Sequence, residues 1–301
     1  MAQRNALVIG DVHGCSDELE ELLTAADLDT IDLVVFAGDL VDKGPNTVKV
    51  VKMARKLSKQ VPVVIVEGNH EEKHRRFRRH LARGDTKIAR SMRGSDFMQY
   101  VTEQLSDKDI AFLDSAVLYY ALPEHNAIVV HGGIPSKLDE LPSNKMSVVE
   151  KLPGKRRRAV QQVQRVRYLT PEGDFVKMGE ETKRDNYWAD IYDGRFGTVL
   201  FGHQPFHEAA QPVTFPHAIG LDLGCASGNA LGGAILRPGE PAEFIARPAA
   251  EQYYTKNAGA RAMPDLYSDK WLGYVMVNDR WVAVVEADTA DEALRLASVT
   301  G

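Results

Sequence analysis

Five short motifs, each closing a run of apolar residues, constrain this chain more than anything else in it. They are GDVHG (10–14), GDLVDKGP (38–45), GNHE (68–71), HGG (131–133) and GHQP (202–205). The runs before them are ALVI (6–9), LVVFA (33–37), VPVVIV (61–66), AIVV (127–130) and TVLF (198–201). Short, apolar and without polar alternation, they predict strands buried on both faces. Asp, His and Asn side chains therefore recur where a buried strand ends and a loop begins. In an open α/β sheet, ligands bind at that edge.

Helical patterns separate the first strands. After the first motif, SDELEELL opens at Ser16 with a good N-cap residue and acids in its first turn, and Leu19, Leu22, Leu23 and Ala26 share one face. Residues 46–59 repeat the pattern with Val50, Ala54 and Leu57. Strand, loop and helix in alternation imply a sheet covered by helices, with right-handed crossovers bringing the loops to one edge. Residues 83–122 read as mainly helical. Residues 141–187 are polar, basic and rich in turn formers, which suggests a lid or cap insertion within a main domain spanning 1–248. A sixth apolar run leads into GLDLGCASG (220–228), read as a strand and glycine-rich turn beside the site. Residues 249–301 carry none of the motifs. There, 271–278 and 281–287 predict a hairpin, and Thr289 with Glu292 a capping box, giving a small ββα appendage.

At 301 residues the chain can bury a full core. The N-terminal residues run almost directly into the first strand, leaving no room for a signal peptide, and no apolar stretch approaches the roughly 20 residues that span a bilayer. Cys15 and Cys225 lack CxxC spacing and are too few for a disulfide framework. A reduced, cytoplasmic protein without a membrane segment is expected. The net charge of −5 hides a polarisation: residues 73–93 carry nine Lys or Arg against one Asp, and residues 151–167 carry seven with no acid. Charge runs are ordinarily solvated helical faces. One of these directly follows GNHE, so a basic rim that attracts a polyanion is the sharper expectation.

Asp11, His13, Asp39, Asn69, His131 and His203 all stand at strand ends. Carboxylates, imidazoles and an amide oxygen without thiolate suit Mn²⁺, Fe²⁺ or Zn²⁺. Six ligands are too many for one ion that must also admit water and substrate. They suit two divalent ions, most naturally Mn²⁺, sharing a bridging carboxylate, for which Asp39 on the central strand is the natural choice. Two adjacent ions generate hydroxide from a bridging water at neutral pH and stabilise an in-line displacement at phosphorus. His70, next to Asn69, is placed to protonate a leaving group, with Asp42 orienting its ring. Lys43 offers a cation to phosphate oxygens.

The ordered set GDVHG, GDLVDKGP, GNHE, HGG and GHQP resembles the calcineurin-like metallophosphoesterases, in particular their phosphoprotein-phosphatase branch. The resemblance covers about residues 6–237. It implies an α/β fold, a β-sandwich of two mixed sheets flanked by helices with a dinuclear centre at its edge. By that resemblance, Asp11, His13 and Asp39 hold one ion; Asp39, Asn69, His131 and His203 hold the other; His70 and Asp42 form the proton-donating pair. Phosphodiesterase branches usually end in GHxH, where this chain has Pro205. Within the phosphatase branch, Asp42 and HGG look like Ser/Thr protein phosphatases. The frame around GDLV, the segment RVRYLTPEG (165–173), FGH and LDLGC look like bacterial symmetrical diadenosine tetraphosphatases. Lys43 replaces an arginine typical of both groups, and a lysine lacks the bidentate fork. Resemblance to the tetraphosphatase segment offers Arg165 or Arg167 as the missing guanidinium.

The leading expectation is a phosphomonoesterase acting on a phosphorylated protein by attack of metal-bridging hydroxide. The rival is hydrolysis of a dinucleoside polyphosphate, with the basic segments 73–93 and 151–167 as polyanion contacts. A third reading, an RNA-end phosphatase or nucleic-acid binder, lacks a recognisable RNA-binding module. An inactive scaffold is a fourth, and six intact ligand positions argue against it.

Overall fold

The computed structural model describes residues 3–255, 260–264, 270–277 and 280–300. The chain opens with three parallel strands, β1 (Ala6–Ile9), β2 (Leu33–Phe36) and β3 (Val63–Ile65), connected by α1 (Ser16–Ala25) and α2 (Thr47–Leu57). Four helices follow: α3 (Asn69–Ala82), α4 (Thr86–Ser91), α5 (Ser95–Gln104) and α6 (Asp107–Asp114). The hairpin β4 (Tyr119–Leu122) and β5 (Ala127–Val130) starts a second sheet. Next come α7 (Met146–Val149), α8 (Gly154–Gln161), the short pair β6 (Tyr168–Leu169) and β7 (Asn186–Tyr187), and α9 (Trp188–Ile191). Then β8 (Thr198–Phe201), β9 (Val213–Phe215) and β10 (Ala218–Gly220) complete the second sheet, and β11 (Ala230–Leu236) with β12 (Glu243–Pro248) return to the first.

Both five-stranded sheets are mixed, ordered β12-β11-β1-β2-β3 and β4-β5-β8-β10-β9. In the first, the parallel trio β1, β2 and β3 runs to one edge, with antiparallel pairing through β11 and β12 on the other side. In the second, the parallel strands β5, β8 and β10 are flanked by antiparallel β4 and β9. Strand alternation divides the side chains between layers. Ala6, Val8, Leu33, Val35, Val129, Leu200 and Ala234 point between the sheets and form the sandwich core. Leu7, Ile9, Val34 and Phe36 point the other way, against Leu19 and Leu22 of α1 and Val50, Val51 and Ala54 of α2. Ile128, Val130, Val199 and Phe201 face outward from the second sheet. The stretch read as a lid or cap packs there, through Met146, Val149, Val160 and Val163. Strands buried on both faces explain the apolar runs without alternation. This is the mixed α/β sandwich the sequence implied.

The C-terminal region contains the expected hairpin, β15 (Trp271–Val277) with β16 (Arg280–Ala287), and helix α10 (Ala290–Thr300). Thr289 Oγ1 accepts from the Glu292 amide at 3.2 Å, the first half of the predicted capping box. Two further strands, β13 (Tyr254–Thr255) and β14 (Ala260–Pro264), extend the hairpin into a four-stranded antiparallel sheet. The last residue of the predicted first strand, 278, lies outside the described residues. Cys15 and Cys225 are buried as free thiols beside each other and Glu18, and their mutual hydrogen bond with burial pushes the Cys225 thiol up. No described helix is long and apolar enough to cross a membrane.

Candidate metal and phosphate site

The parallel strands β1, β2 and β3 of one sheet and β5 and β8 of the other carry all five motifs out at one edge. The loops there are hydrogen-bonded to one another. The His13 amide donates to Asp39 O at 2.8 Å, Gly14 to Leu40 O at 2.9 Å, Gly44 to His13 O at 2.8 Å, and Gly202 to His131 O at 2.9 Å. His13, Asp39, Asp42, Lys43 and His203 all adopt positive φ, between 47° and 69°. Each such backbone costs on the order of 1–3 kcal/mol, and clustering at one place marks a functional site. The cost is offset by the carboxylate of Glu71. It accepts from the amides of Asp39 (2.7 Å), Leu40 (2.8 Å) and Gly68 (3.0 Å), holding the second loop against the start of α3. Burial and the neighbouring Asp39 charge push the Glu71 carboxyl up, against the backbone donors that favour its ionised form.

Asp39 lies at the centre. Its Oδ2 is 3.5 Å from His13 Nε2, 3.3 Å from His131 Nε2 and 3.8 Å from His70 Nε2. Two groups of potential ligand atoms, each mutually within 4.8 Å, therefore share it: His13, Asp39 and His70, and Asp39, His131 and His203. Asp11 Oδ2 is 3.8 Å from His13 Nε2, and Asn69 Oδ1 is 3.2 Å from His131 Nε2. Backbone carbonyls fix two of the imidazoles. Nδ1 of His13 donates to Val41 O and Nδ1 of His131 to Ala37 O, both at 2.8 Å. Each ring thus presents an Nε2 lone pair towards the carboxylates.

That arrangement fits divalent cations. His203 Nε2 is buried without a hydrogen-bond partner. With Nδ1 of His131 donating to a carbonyl, the neutral ring turns its Nε2 lone pair towards the oxygens of Asp39 and Asn69, a convergence that a cation would complete. A Cβ at Gly68 would meet Asp39 Oδ1 at 2.1 Å and one at Gly202 would meet Asp11 Oδ1 at 1.9 Å, so both glycines let backbone approach the carboxylates. Burial, then the charges of Asp222 and Asp39, raise the Asp11 carboxyl well above the ordinary range. Burial also raises the Asp222 carboxyl. Crowded, desolvated carboxylates of this kind call for positive charge.

The predicted proton pair is also together. His70 Nδ1 lies 2.6 Å from Asp42 Oδ2, while its backbone amide donates to Asp39 Oδ1 at 2.9 Å. The imidazole is partly exposed and faces His13 edge-on, with ring centroids 4.9 Å apart. Sequence reasoning missed the other partner of Asp42. His74, fully buried one turn further along α3, lies with Nε2 2.8 Å from Asp42 Oδ1. Burial would raise the Asp42 carboxyl, but the two imidazoles outweigh it and hold it well below the usual range. The i, i+4 spacing of His70 and His74 was the available signal. Asp222, within the GLDLG turn, is the second residue missed. It is buried, accepts from the Gly224 amide at 2.9 Å, and lies against Asp11.

Lys43 Nζ is 2.6 Å from His13 Nε2 and 5.9 Å from the ring centroid of Tyr254. The two arginines are placed differently. Arg167 Nη2 donates to the carbonyl of His203 at 2.6 Å, whereas Arg165 Nη2 pairs with Glu72 at 3.0 Å. Much of the first basic segment is engaged in the fold. Arg75 pairs with Glu67 and Glu150, Arg79 with Glu150, Arg78 with Asp114 and Arg76 with Glu72.

The calcineurin-like phosphoesterase family matches residues 5–219. The chain is 31% identical over 240 residues to an asymmetrical bis(5'-nucleosyl)-tetraphosphatase of Oceanobacillus iheyensis, covering 74% of this chain and 85% of the relative. It is 32% identical over 128 residues to a symmetrical bis(5'-nucleosyl)-tetraphosphatase of Shewanella sediminis, covering 42% and 43%. A crystal structure of a candidate diadenosine tetraphosphatase superposes with a TM-score of 0.57 at 25% identity, covering 82% of this chain and 95% of that one. Because the family match runs through all five strand-end loops and through the buried strands that deliver them, the chain belongs to the calcineurin-like phosphoesterase family.

Proposed function

We propose that this phosphoesterase hydrolyses a phosphoanhydride bond of a dinucleoside tetraphosphate, asymmetrically, at a centre of two divalent ions. The observation that carries the dinuclear reading is the sharing of Asp39 between two groups of ligand atoms. Asp11, His13 and Asp39 would hold one ion, and Asp39, Asn69, His131 and His203 the other; Mn²⁺ suits this donor set, as do Fe²⁺ and Zn²⁺. Such ions supply Lewis-acid stabilisation of phosphoryl oxygens and a nucleophile at neutral pH. The substrate class rests on the relatives: the one covering 85% of its own length is named for asymmetrical cleavage, and the symmetrical one matches over a much shorter stretch. This moves the weight from phosphoprotein to nucleotide.

The chain's own groups divide the remaining work. His70, held by Asp42, donates its proton to the departing oxygen. His74 fixes the second oxygen of Asp42 and so the plane of the carboxylate. Lys43 is a cation for the phosphate oxygens, and Arg167, anchored on the His203 carbonyl, offers a guanidinium at the His203 loop. Arg165 is tied to Glu72 and stands further from that task. Arg156 pairs with Glu140, while exposed Lys155 and Arg158 on α8 keep part of the second basic segment available for a polyanion.

Metal-stripped protein reconstituted with Mn²⁺ and offered diadenosine tetraphosphate, p-nitrophenyl phosphate and a phosphopeptide tests the reading. Preferred turnover of the dinucleotide to ATP and AMP is the expected result. Two ADP would reassign the scissile bond, and preference for the phosphopeptide would restore the phosphomonoesterase.

A further inference from the structure

Tyr254 comes from the region that carries none of the motifs, yet its ring lies beside Lys43, the cation proposed above for the phosphate oxygens. The placement is not accidental to a loose tail. The segment before β13 is fastened to the catalytic sandwich at three points. The Ala250 amide donates to Glu18 Oε1 at 2.9 Å, the Tyr253 hydroxyl to the same oxygen at 3.0 Å, and the Tyr253 amide to Ala226 O at 3.0 Å. Tyr253 is buried and stacks on Trp271 of β15, with centroids 6.0 Å apart and planes 26° from parallel. The Ala262 amide donates to Tyr253 O at 3.0 Å, and Tyr254 pairs with Arg261 in the β13–β14 register. Successive side chains of an extended segment point to opposite sides. With Tyr253 turned into the junction, Tyr254 is turned out of it, half-buried, to lie 5.9 Å from Lys43 Nζ.

We infer that Tyr254 is a specificity-determining residue, a stacking platform for the nucleobase adjacent to the scissile phosphate. The inference rests on the nucleotide reading proposed above and deepens it. A phosphate drawn to Lys43 in a nucleoside 5'-phosphate carries its base one ribose away, and an aromatic ring stands next to that cation. Asymmetrical cleavage breaks the anhydride between the ribose-linked phosphate and its neighbour. When the attack falls on the ribose-linked phosphorus and the nucleoside triphosphate departs, the base of that nucleotide must lie within one nucleotide of the ligand cluster. In symmetrical cleavage a further phosphate would intervene. A ring so close to Lys43 therefore fits attack at the ribose-linked phosphate. Aromatic stacking accepts any base, because every base has a π-face. The platform thus predicts selectivity for nucleotides over bare phosphates, with little discrimination among bases.

Calorimetric titration of the Mn²⁺-loaded full chain with AMP and with inorganic phosphate tests this independently of turnover. In Tyr254→Ala the affinity for AMP should fall about tenfold or more, the scale of a lost base stack, while phosphate binding stays the same. Tyr254→Phe should keep the affinity for AMP, which also separates a lost ring from a misfolded variant. Equal weakening of AMP and phosphate in Tyr254→Ala would show that the ring acts only through Lys43 and would overturn the inference. So would unchanged binding of AMP, or a wild-type protein that binds AMP no better than phosphate. Failure of the tetraphosphatase reading would register separately, as absence of diadenosine tetraphosphate turnover by the wild type.

Discussion

The two sheets of the sandwich bring different things to their common edge. The first delivers Asp11, His13, Asp39, Asp42, Lys43, Asn69 and His70 from three consecutive strand–loop units, with four of these residues at positive φ and their loops bonded to each other. The second delivers His131, His203 and Asp222 singly, each from a different strand, and Arg167 from the cover packed on its outer face. The first edge holds most of the strain and both members of the proposed proton-donating pair, His70 and Asp42; the second mainly closes the site with imidazole. On that reading, changes on the first edge should damage chemistry most. Changes on the second should show more as altered binding.

Asp39→Asn is the severest test, because only Asp39 belongs to both ligand groups. Loss of kcat/KM on the order of 10⁴-fold is expected, roughly 5 kcal/mol of transition-state stabilisation at about 1.4 kcal/mol per decade, with both ions depleted in elemental analysis. Loss of a single ion with the other at full occupancy would break the bridge assignment.

His70→Ala should retain metal and fold. Its rate loss should be about 10³-fold on an alkyl phosphate ester, within the usual range for a general acid. On a dinucleoside tetraphosphate the loss should be smaller, because a polyphosphate leaves without a proton far more readily than an alkoxide. Equal losses on both substrates would count against proton donation.

His74→Ala sharpens the comparison by reaching the first edge from behind. The ring touches Asp42 and is fully buried. Its removal should lower kcat by about 10–100-fold, as removal of an orienting partner typically does, with metal content and KM nearly unchanged. The double variant with Asp42→Asn should then be scarcely worse than Asp42→Asn alone, since the two act on one carboxylate.

His74 also shows where reading a sequence stops. The strand-end residues were legible because buried parallel strands leave an unmistakable apolar run, and whatever polar group closes it stands at the ligand-binding edge. His70 and Asp42 followed from adjacency to those residues. His74 sits inside a stretch dominated by arginine, where charge masked the helical spacing. Asp222 was hidden by the glycines around it, which drew attention to the turn rather than the acid. The partners of the basic run were out of reach for a different reason. Glu150 meets Arg75 and Arg79 from more than seventy residues away, and no local pattern records such a meeting. The same holds for Tyr254: β13 is two residues long, and its place beside Lys43 is set by Glu18 and Ala226, far back in the chain.

The two arginines give the mildest test and the one that divides the edges most finely. They are two residues apart in the same segment, and resemblance could not choose between them. The structure gives them different partners: a carbonyl at the second edge for Arg167, a carboxylate of α3 for Arg165. A guanidinium already neutralised by a partly exposed ion pair has less charge to offer a phosphate, and such a pair is itself worth little. Arg167→Ala should therefore raise KM for the tetraphosphate about tenfold, the scale of one charge-assisted hydrogen bond, with kcat within about threefold. Arg165→Ala should change KM by no more than about threefold. The reverse order would mean that substrate draws Arg165 away from Glu72, and that the guanidinium gripping phosphate comes from the side of α3 rather than from the His203 loop.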